Sequence, residues 1–189
     1  MNEGGLSLEV VTRSPEGTRA VGAAIAAVIA PGDVVLLIGE LGSGKTVLTK
    51  GLVAALGGGE STTSPTFTLC HSYPTTPPVA HVDCYRLEPG GDLADLALDE
   101  ALEDGGVAVV EWGERARGLL GAGALECVLS VPVASSPAGR GPADGDTRVI
   151  ALTSYGASWS ARNESLAVGL AAAGLEVAAR GALEGRRQS

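Results

Sequence analysis

The chain has 189 residues, of which 45% are hydrophobic and 19% are charged. This composition is that of one globular domain, and it excludes a disordered or fibrous protein. The formal net charge of -9 corresponds to a pI near 4.7. Because so acidic a surface repels phosphate backbones, we expect no direct nucleic-acid binding by the chain alone.

Several features indicate a cytoplasmic protein that does not bind membranes. The longest apolar run covers residues 20–30, which suits a buried helix and is too short to cross a bilayer. No basic region followed by an apolar stretch opens the chain, so no signal peptide is predicted. The cysteines are odd in number and widely spaced at Cys70, Cys84 and Cys127, which argues against a disulfide framework and fits a reducing compartment.

The hydrophobic pattern predicts alternating strands and helices. Leu6, Leu8 and Val10 alternate with polar residues, as in a strand, and the run Ser-Pro-Glu at 14–16 is typical of a helix start. Residues 34–38 are continuously apolar, which is typical of a strand buried on both faces of a sheet. The prediction continues with a helix over 46–56, strands over 67–73 and 79–85, a helix over 92–102, a strand over 107–110, a strand pair over 125–131 and 148–153, and a weakly patterned helix over 162–180 before a frayed end.

A phosphate-binding pattern, G-x-x-x-x-G-K-S/T, occurs at residues 39–46 between a predicted strand and a predicted helix. Its glycines allow the positive φ angles that turn successive amides inward, and these amides bind a β-phosphate together with the helix N-terminus. Lys45 is expected to bridge the β- and γ-phosphates, and the Thr46 hydroxyl to bind magnesium. The predicted nucleotide-binding residues of this P-loop are Gly39, Glu40, Leu41, Gly42, Ser43, Gly44, Lys45 and Thr46.

The element order and the P-loop together predict the α/β fold class. We expect a single P-loop NTPase-like domain whose mixed, mostly parallel sheet is flanked by helices and has an antiparallel strand pair near the C-terminus. Residues 1–153 are assigned to this domain, and residues 154–189 to a C-terminal extension that contains the last predicted helix.

Two acidic residues at predicted strand ends could complete a nucleotide site. Glu111 directly follows the strand over 107–110, at the sheet edge where open α/β sheets bind ligands, and could hold magnesium. The pattern alone is equally compatible with a solvent-facing acid. Asp83, near the end of another strand, could orient the attacking water or a metal-bound water. Arg86 could supply transition-state charge, although a surface salt bridge with neighbouring acids is the more common role.

The order and spacing of four motifs resemble the TsaE family over residues 6–153. These motifs are the P-loop, Ser-Pro-Thr-Phe-Thr-Leu at 64–69, His-Val-Asp-Cys-Tyr-Arg-Leu at 81–87 and Val-Glu-Trp at 110–112. The family consists of small bacterial P-loop ATPases required for the threonylcarbamoyladenosine (t6A) modification of tRNA. Two departures are visible: Gly113 stands where the family often has proline, and residues 154–189 extend past the usual end.

The resemblance implies roles for individual residues and two cofactors, ATP and Mg²⁺. It implies that Thr46 and Glu111 coordinate the ion and that Asp83, with Lys45, serves hydrolysis. It also implies that residues 64–68 form a switch-like loop near the γ-phosphate. Trp112 is expected beside the nucleotide, and Thr18 near the adenine.

The resemblance further implies a place in a larger assembly. Members of the family work with the TsaD and TsaB proteins, and ATP hydrolysis resets that complex between rounds of tRNA modification. The acidic segment 88–104 is a candidate docking face for such a partner, although a solvated helix face is the commoner explanation of such a segment.

Three alternative functions deserve comparison with an ATPase. Guanine-specific GTPases read the base with an Asn-Lys-x-Asp string, and this chain has no lysine beyond Lys50, so ATP is favoured. A small-molecule kinase usually carries an arginine-rich lid, and no arginine cluster occurs between the P-loop and Trp112. The third alternative is a docking protein that binds nucleotide without cleaving it. Because no internal arginine finger is evident, we expect weak hydrolysis by the chain alone.

Overall fold

The computed structural model describes residues 7–59, 70–86, 98–116, 123–132 and 146–180. In this part of the chain eight strands form one sheet. The strands are β1 Ser7–Thr12, β2 Val34–Ile38, β3 Cys70–Tyr73, β4 Val79–Asp83, β5 Val107–Glu111, β6 Ala124–Ser130, β7 Arg148–Tyr155 and β8 Glu176–Arg180. The helices are α1 Pro15–Ala26, α2 Lys45–Ala55, α3 Leu98–Glu103, α4 Gly156–Ser160 and α5 Asn163–Ala172.

The sheet has the strand order β3-β4-β5-β2-β6-β7-β1-β8. Four adjacent strands around its centre, β4, β5, β2 and β6, run parallel, while the pairs on either side are antiparallel. The predicted α/β class is confirmed, and the antiparallel part is larger than the one strand pair that we predicted. Because the central strands are parallel, the carboxyl ends of β2, β4 and β5 meet at one edge of the sheet.

The sheet separates two apolar cores, which explains the continuous apolar run of β2. Val35 and Leu37 pack with α1 and α2 on one face, whereas Val34 and Leu36 pack with α3 on the other. Successive residues of a strand point to opposite faces, so every residue of such a strand can be buried. Each fully buried aliphatic side chain of this kind contributes about 1.5–3 kcal/mol. No helix in the described part is long and apolar enough to span a membrane.

Helices α1 and α2 touch through their backbones. The start of α1 agrees with the prediction, since the Ser14 side chain accepts a hydrogen bond from the Gly17 amide at 3.2 Å. A Cβ atom on Gly22 of α1 would overlap the carbonyl oxygen of Leu48. A Cβ atom on Gly51 of α2 would overlap the backbone of α1 in the same way. The contact between the two helices therefore requires glycine at both positions.

The predicted strand over 79–85 is two residues too long. Strand β4 ends at Asp83, and a 3₁₀ turn, Cys84–Arg86, follows it. The reason is local, because an Asp83 carboxylate oxygen accepts a hydrogen bond from the Tyr85 amide at 3.0 Å and bends the chain there. Residues 67–69 of the preceding predicted strand, and residues 92–97 of the predicted helix, lie outside the described residues.

The predicted helix over 162–180 is correct only in its first half. Helix α5 ends at Ala172, Gly174 adopts a left-handed φ of 75°, and β8 then pairs with β1 along the edge of the sheet. An alanine-rich pattern does not distinguish a helix from a strand, so the pairing with β1 decides the outcome. The part of the predicted extension up to residue 180 thus continues the sheet. Residues 181–189 lie outside the described residues.

One arginine fastens the C-terminal helices to the turn before β2. The Arg162 guanidinium donates to both carboxylate oxygens of Asp33, at 2.6 and 2.9 Å, and to the Val28 carbonyl at 2.7 Å. It also donates to Ser158 and lies 4.3 Å from the centre of the Trp159 ring. A planar guanidinium suits this combination of forked and stacked contacts.

The three cysteines, Cys70, Cys84 and Cys127, are free thiols. Burial raises the pKa of the Cys84 thiol to about 11, with a further contribution from the negative charge of Asp83. Burial also raises the pKa values of Cys70 and Cys127. The thiolate is the reactive form of cysteine, so all three are poor nucleophiles at neutral pH.

Candidate functional site

The predicted P-loop connects β2 to α2 at the edge where the parallel strands end. Gly44 is the N-cap residue of α2 and adopts a left-handed φ of 107°, so no side chain caps the helix. The Ser43 hydroxyl is buried and has no hydrogen-bond partner in the described part. Helix amides without a capping side chain, beside an unpaired hydroxyl, are a suitable arrangement of donors for a phosphate.

Lys45 folds back over this loop. Its Nζ atom donates to the carbonyl oxygens of Gly39 at 2.7 Å and Glu40 at 2.9 Å, and the residue is only 5% exposed. Burial lowers the pKa of Lys45, and the nearby carboxylates, Glu111 first among them, oppose that shift. The ammonium group therefore lies at the loop, where it can exchange carbonyl oxygens for phosphate oxygens.

Thr46 and Glu111 form the centre of the site. The Thr46 hydroxyl lies 2.9 and 3.1 Å from the two carboxylate oxygens of Glu111. Glu111 is 3% exposed, so the alternative of a solvent-facing acid is wrong. The nearer of its oxygens also lies 3.0 Å from Nε2 of His81. The structure thus places the P-loop threonine in contact with the acid at the end of β5.

Asp83 lies beside Glu111 in the register of β4 and β5. It is 8% exposed, and one of its carboxylate oxygens accepts from the Tyr85 amide. Four predicted site residues therefore lie at the edge where the parallel strands end, namely Lys45, Thr46, Asp83 and Glu111. This is the edge at which we expected the two acids to lie.

Trp112 lies over Lys45 directly after β5. The Lys45 Nζ atom is 4.2 Å from the centre of the indole ring, a distance typical of a cation–π contact. Trp112 has a φ of 60°, which is unusual for a residue other than glycine and turns the chain sharply at the strand end. Its other neighbour is the Tyr85 ring, at 5.0 Å between centres. A Cβ atom on Gly113 would lie 2.7 Å from Leu36 Cβ, which explains glycine at this position.

Thr18 of α1 lies next to the start of α2. Its methyl carbon is 3.6 Å from the point where a Cβ atom of Gly44 would lie. Its hydroxyl faces away from the loop, since it donates to the Ser14 carbonyl at 3.3 Å and lies 3.0 Å from the Thr12 hydroxyl. Thr18 is 2% exposed, so its side chain packs between α1 and the P-loop, and its expected place near the adenine stays a prediction.

Arg148, the first residue of β7, is a site residue that the sequence did not reveal. Its Nε atom donates to the Ser43 carbonyl at 3.0 Å, and its Nη2 atom donates to the Gly42 carbonyl at 3.1 Å. More than a hundred residues separate it from the loop, so no short motif could have indicated the contact. Arg148 thus ties the carbonyl oxygens of Gly42 and Ser43 to the start of β7.

Several predicted residues cannot be placed. The switch-like loop over 64–68 lies outside the described residues, as does the part of the acidic segment over 88–97. The backbone of Arg86 is described within the 3₁₀ turn, but its side chain is not.

The chain is similar to several known proteins. The sequence profile of the family described as "Threonylcarbamoyl adenosine biosynthesis protein TsaE" matches residues 12–135. A "tRNA threonylcarbamoyladenosine biosynthesis protein TsaE" from Streptomyces coelicolor is 49% identical over 100 residues, covering 51% of this chain and 67% of the relative. A protein of the same name from Treponema pallidum is 41% identical over 108 residues, covering 57% of this chain and 80% of the relative. The crystal structure of Bacillus subtilis YdiB is similar, with a TM-score of 0.61 and 32% identity over 89% of this chain and 96% of that one. The chain belongs to the TsaE family.

Proposed function

We propose that this protein is a cytoplasmic, Mg²⁺-dependent ATPase that serves the t6A modification of tRNA position 37. It acts with the TsaD and TsaB proteins, and ATP hydrolysis resets their complex between rounds. The observation that carries the proposal is the contact between Thr46 and Glu111, at 2.9 and 3.1 Å, next to the buried Lys45. The family and the names of its members support the t6A role.

The donor atoms of the site fit magnesium. Mg²⁺ prefers oxygen ligands, keeps several waters and is usually held by one or two protein groups together with substrate phosphates. The Thr46 hydroxyl and the Glu111 carboxylate are two such groups, already in contact with each other. Phosphate oxygens and water would supply the other ligands. When bound, the ion neutralises charge on the β- and γ-phosphates.

The other residues of the site act on the nucleotide and on water. The α2 amides bind phosphate oxygens, and Lys45 turns its ammonium group from the Gly39 and Glu40 carbonyls toward them. Asp83 would accept a hydrogen bond from the attacking water, because its position opposite Glu111 in the β4–β5 register puts it at the same sheet edge. Trp112 shields the Lys45 ammonium from bulk water, which strengthens its attraction to phosphate.

Single-turnover phosphate release from ATP tests the proposed function. The chain alone should hydrolyse ATP slowly, and addition of TsaD and TsaB should accelerate the release, because a partner commonly completes such sites. No release in either condition would indicate a nucleotide-dependent docking protein. Transfer of phosphate to an added metabolite would indicate a kinase, and a rate unchanged by the partners would contradict their proposed role.

Asp83→Ala should keep ATP bound and slow its cleavage about 10²- to 10⁴-fold, because the water loses its acceptor. Asp83→Asn should show a similar defect, because a neutral amide cannot take a proton from the water as a carboxylate can. Its amide oxygen can still accept from the Tyr85 amide and so preserve the turn. Single-turnover hydrolysis and equilibrium ATP binding are the two measurements, with the exposed Glu164→Ala on α5 as the control. Loss of ATP binding in Asp83→Asn would assign Asp83 to the structure of the site.

A further inference from the structure

His81 is a fully buried side chain to which the proposed mechanism gives no role. It lies on β4 two residues before Asp83, so both side chains point to the same face of the sheet. The β4–β5 register pairs His81 with Val109, yet its Nε2 atom reaches two residues further along β5 and lies 3.0 Å from Oε1 of Glu111. A buried imidazole thus contacts the carboxylate that is proposed to hold the ion.

The chemistry of the two groups sets the direction of this hydrogen bond. An ionised carboxylate only accepts hydrogen bonds, so Nε2 of His81 donates to Glu111. The other ring nitrogen, Nδ1, is buried and has no hydrogen-bond partner in the described part. The ring is otherwise fixed by packing, with Tyr73 stacked at 6.3 Å between centres. Within the described residues, this imidazole therefore makes one hydrogen bond, which is the bond to Glu111.

Two donors from different elements fix the Glu111 carboxylate. Thr46 donates from the first turn of α2, and His81 donates from β4. A carboxylate held by the threonine alone would keep a rotational freedom that the second donor removes. Because the site is buried, loss of that donor also leaves negative charge with less compensation.

We propose that His81 is a positioning residue that holds Glu111 in its orientation toward Thr46 and so raises the affinity of the site for a divalent cation. This inference rests on the proposed function, since it assumes that Glu111 is a ligand of the ion. Removing a hydrogen-bond partner of a metal ligand typically costs about 10- to 100-fold in metal affinity.

Binding of Mn²⁺ to the ADP complex of the full chain, followed by electron paramagnetic resonance, tests the inference. His81→Leu removes the donor and fills a similar volume, and it should weaken Mn²⁺ binding about 10- to 100-fold. His81→Gln places an amide N–H near the position of Nε2 and should restore most of that affinity. The affinity for ADP in EDTA should stay unchanged in both variants, which also shows that they fold. His71→Leu, an exposed position paired with His81 on β3, is the matched control.

Each other result contradicts the inference. Wild-type Mn²⁺ affinity in His81→Leu would show that Glu111 needs no second donor. Equal losses in His81→Leu and His81→Gln, or a loss of ADP binding in EDTA, would assign His81 to packing alone. If the wild-type ADP complex bound no Mn²⁺, the proposed role of the ion would itself fail. That outcome is distinct from a failure confined to the His81 variants.

Discussion

Lys45→Ala is expected to raise the Kd for ATP about 10³-fold. The variant removes the positive charge at the P-loop, and a charge pair about 4 Å apart at an effective dielectric constant of about 20 is worth about 4 kcal/mol. An effective dielectric constant of about 20 suits Lys45, because the residue is 5% exposed and lies against the Trp112 ring. Isothermal titration with ATP and Mg²⁺ measures the change.

The chain provides a matched control for this prediction. Lys50, the other of its two lysines, lies on the same helix and is only partly buried. Lys50→Ala should bind ATP as the wild type does, because the mutation removes the same charge at a distance from the loop. Comparable affinities for the Lys45 and Lys50 variants would contradict the assignment of the P-loop as the phosphate site.

Arg162→Ala is expected to lower the free energy of unfolding by about 3–5 kcal/mol. The variant leaves the Asp33 carboxylate, whose side chain is 6% exposed, without its guanidinium partner. It also removes the donor to the Val28 carbonyl and the stacking on Trp159. Urea unfolding monitored by circular dichroism measures the loss, which should appear as a lower midpoint.

The control for Arg162 is the exposed ion pair between Arg13 and Glu176, whose side chains are 66% and 68% exposed. Solvent screens such a pair, so Arg13→Ala should cost less than about 1 kcal/mol. Equal costs for the two variants would mean that the Asp33 contact does not fasten the C-terminal helices.

Much of the fold and part of the site could be predicted because their causes are local. The apolar run of β2 predicts burial on both faces, and Ser14 followed by Pro15 predicts the start of α1. Glu111 could be placed at the site because it directly follows a buried strand, and parallel strands end at a common edge. In each case the pattern and the structure depend on the same few neighbouring residues.

The remaining features depend on contacts between distant segments. Whether 176–180 is a strand depends on the free edge of β1, which its alanine-rich sequence does not contain. The contact of Arg148 with the P-loop depends on the placement of β7 beside β6 in the sheet. The sequence gives only a weak indication of the role of His81. Its spacing of two residues from Asp83 places both side chains on one face of the sheet, but its hydrogen-bond partner, Glu111, lies on another strand.

The glycine contact between α1 and α2 restricts how the protein can respond to its ligand. With Gly22 and Gly51 placing backbone against backbone, the two helices have no room to slide or tilt independently. Because relative motion of the two helices is blocked, the first turn of α2 stays fixed relative to Thr18 of α1. Any rearrangement on ligand binding would therefore move α1 and α2 together as one unit.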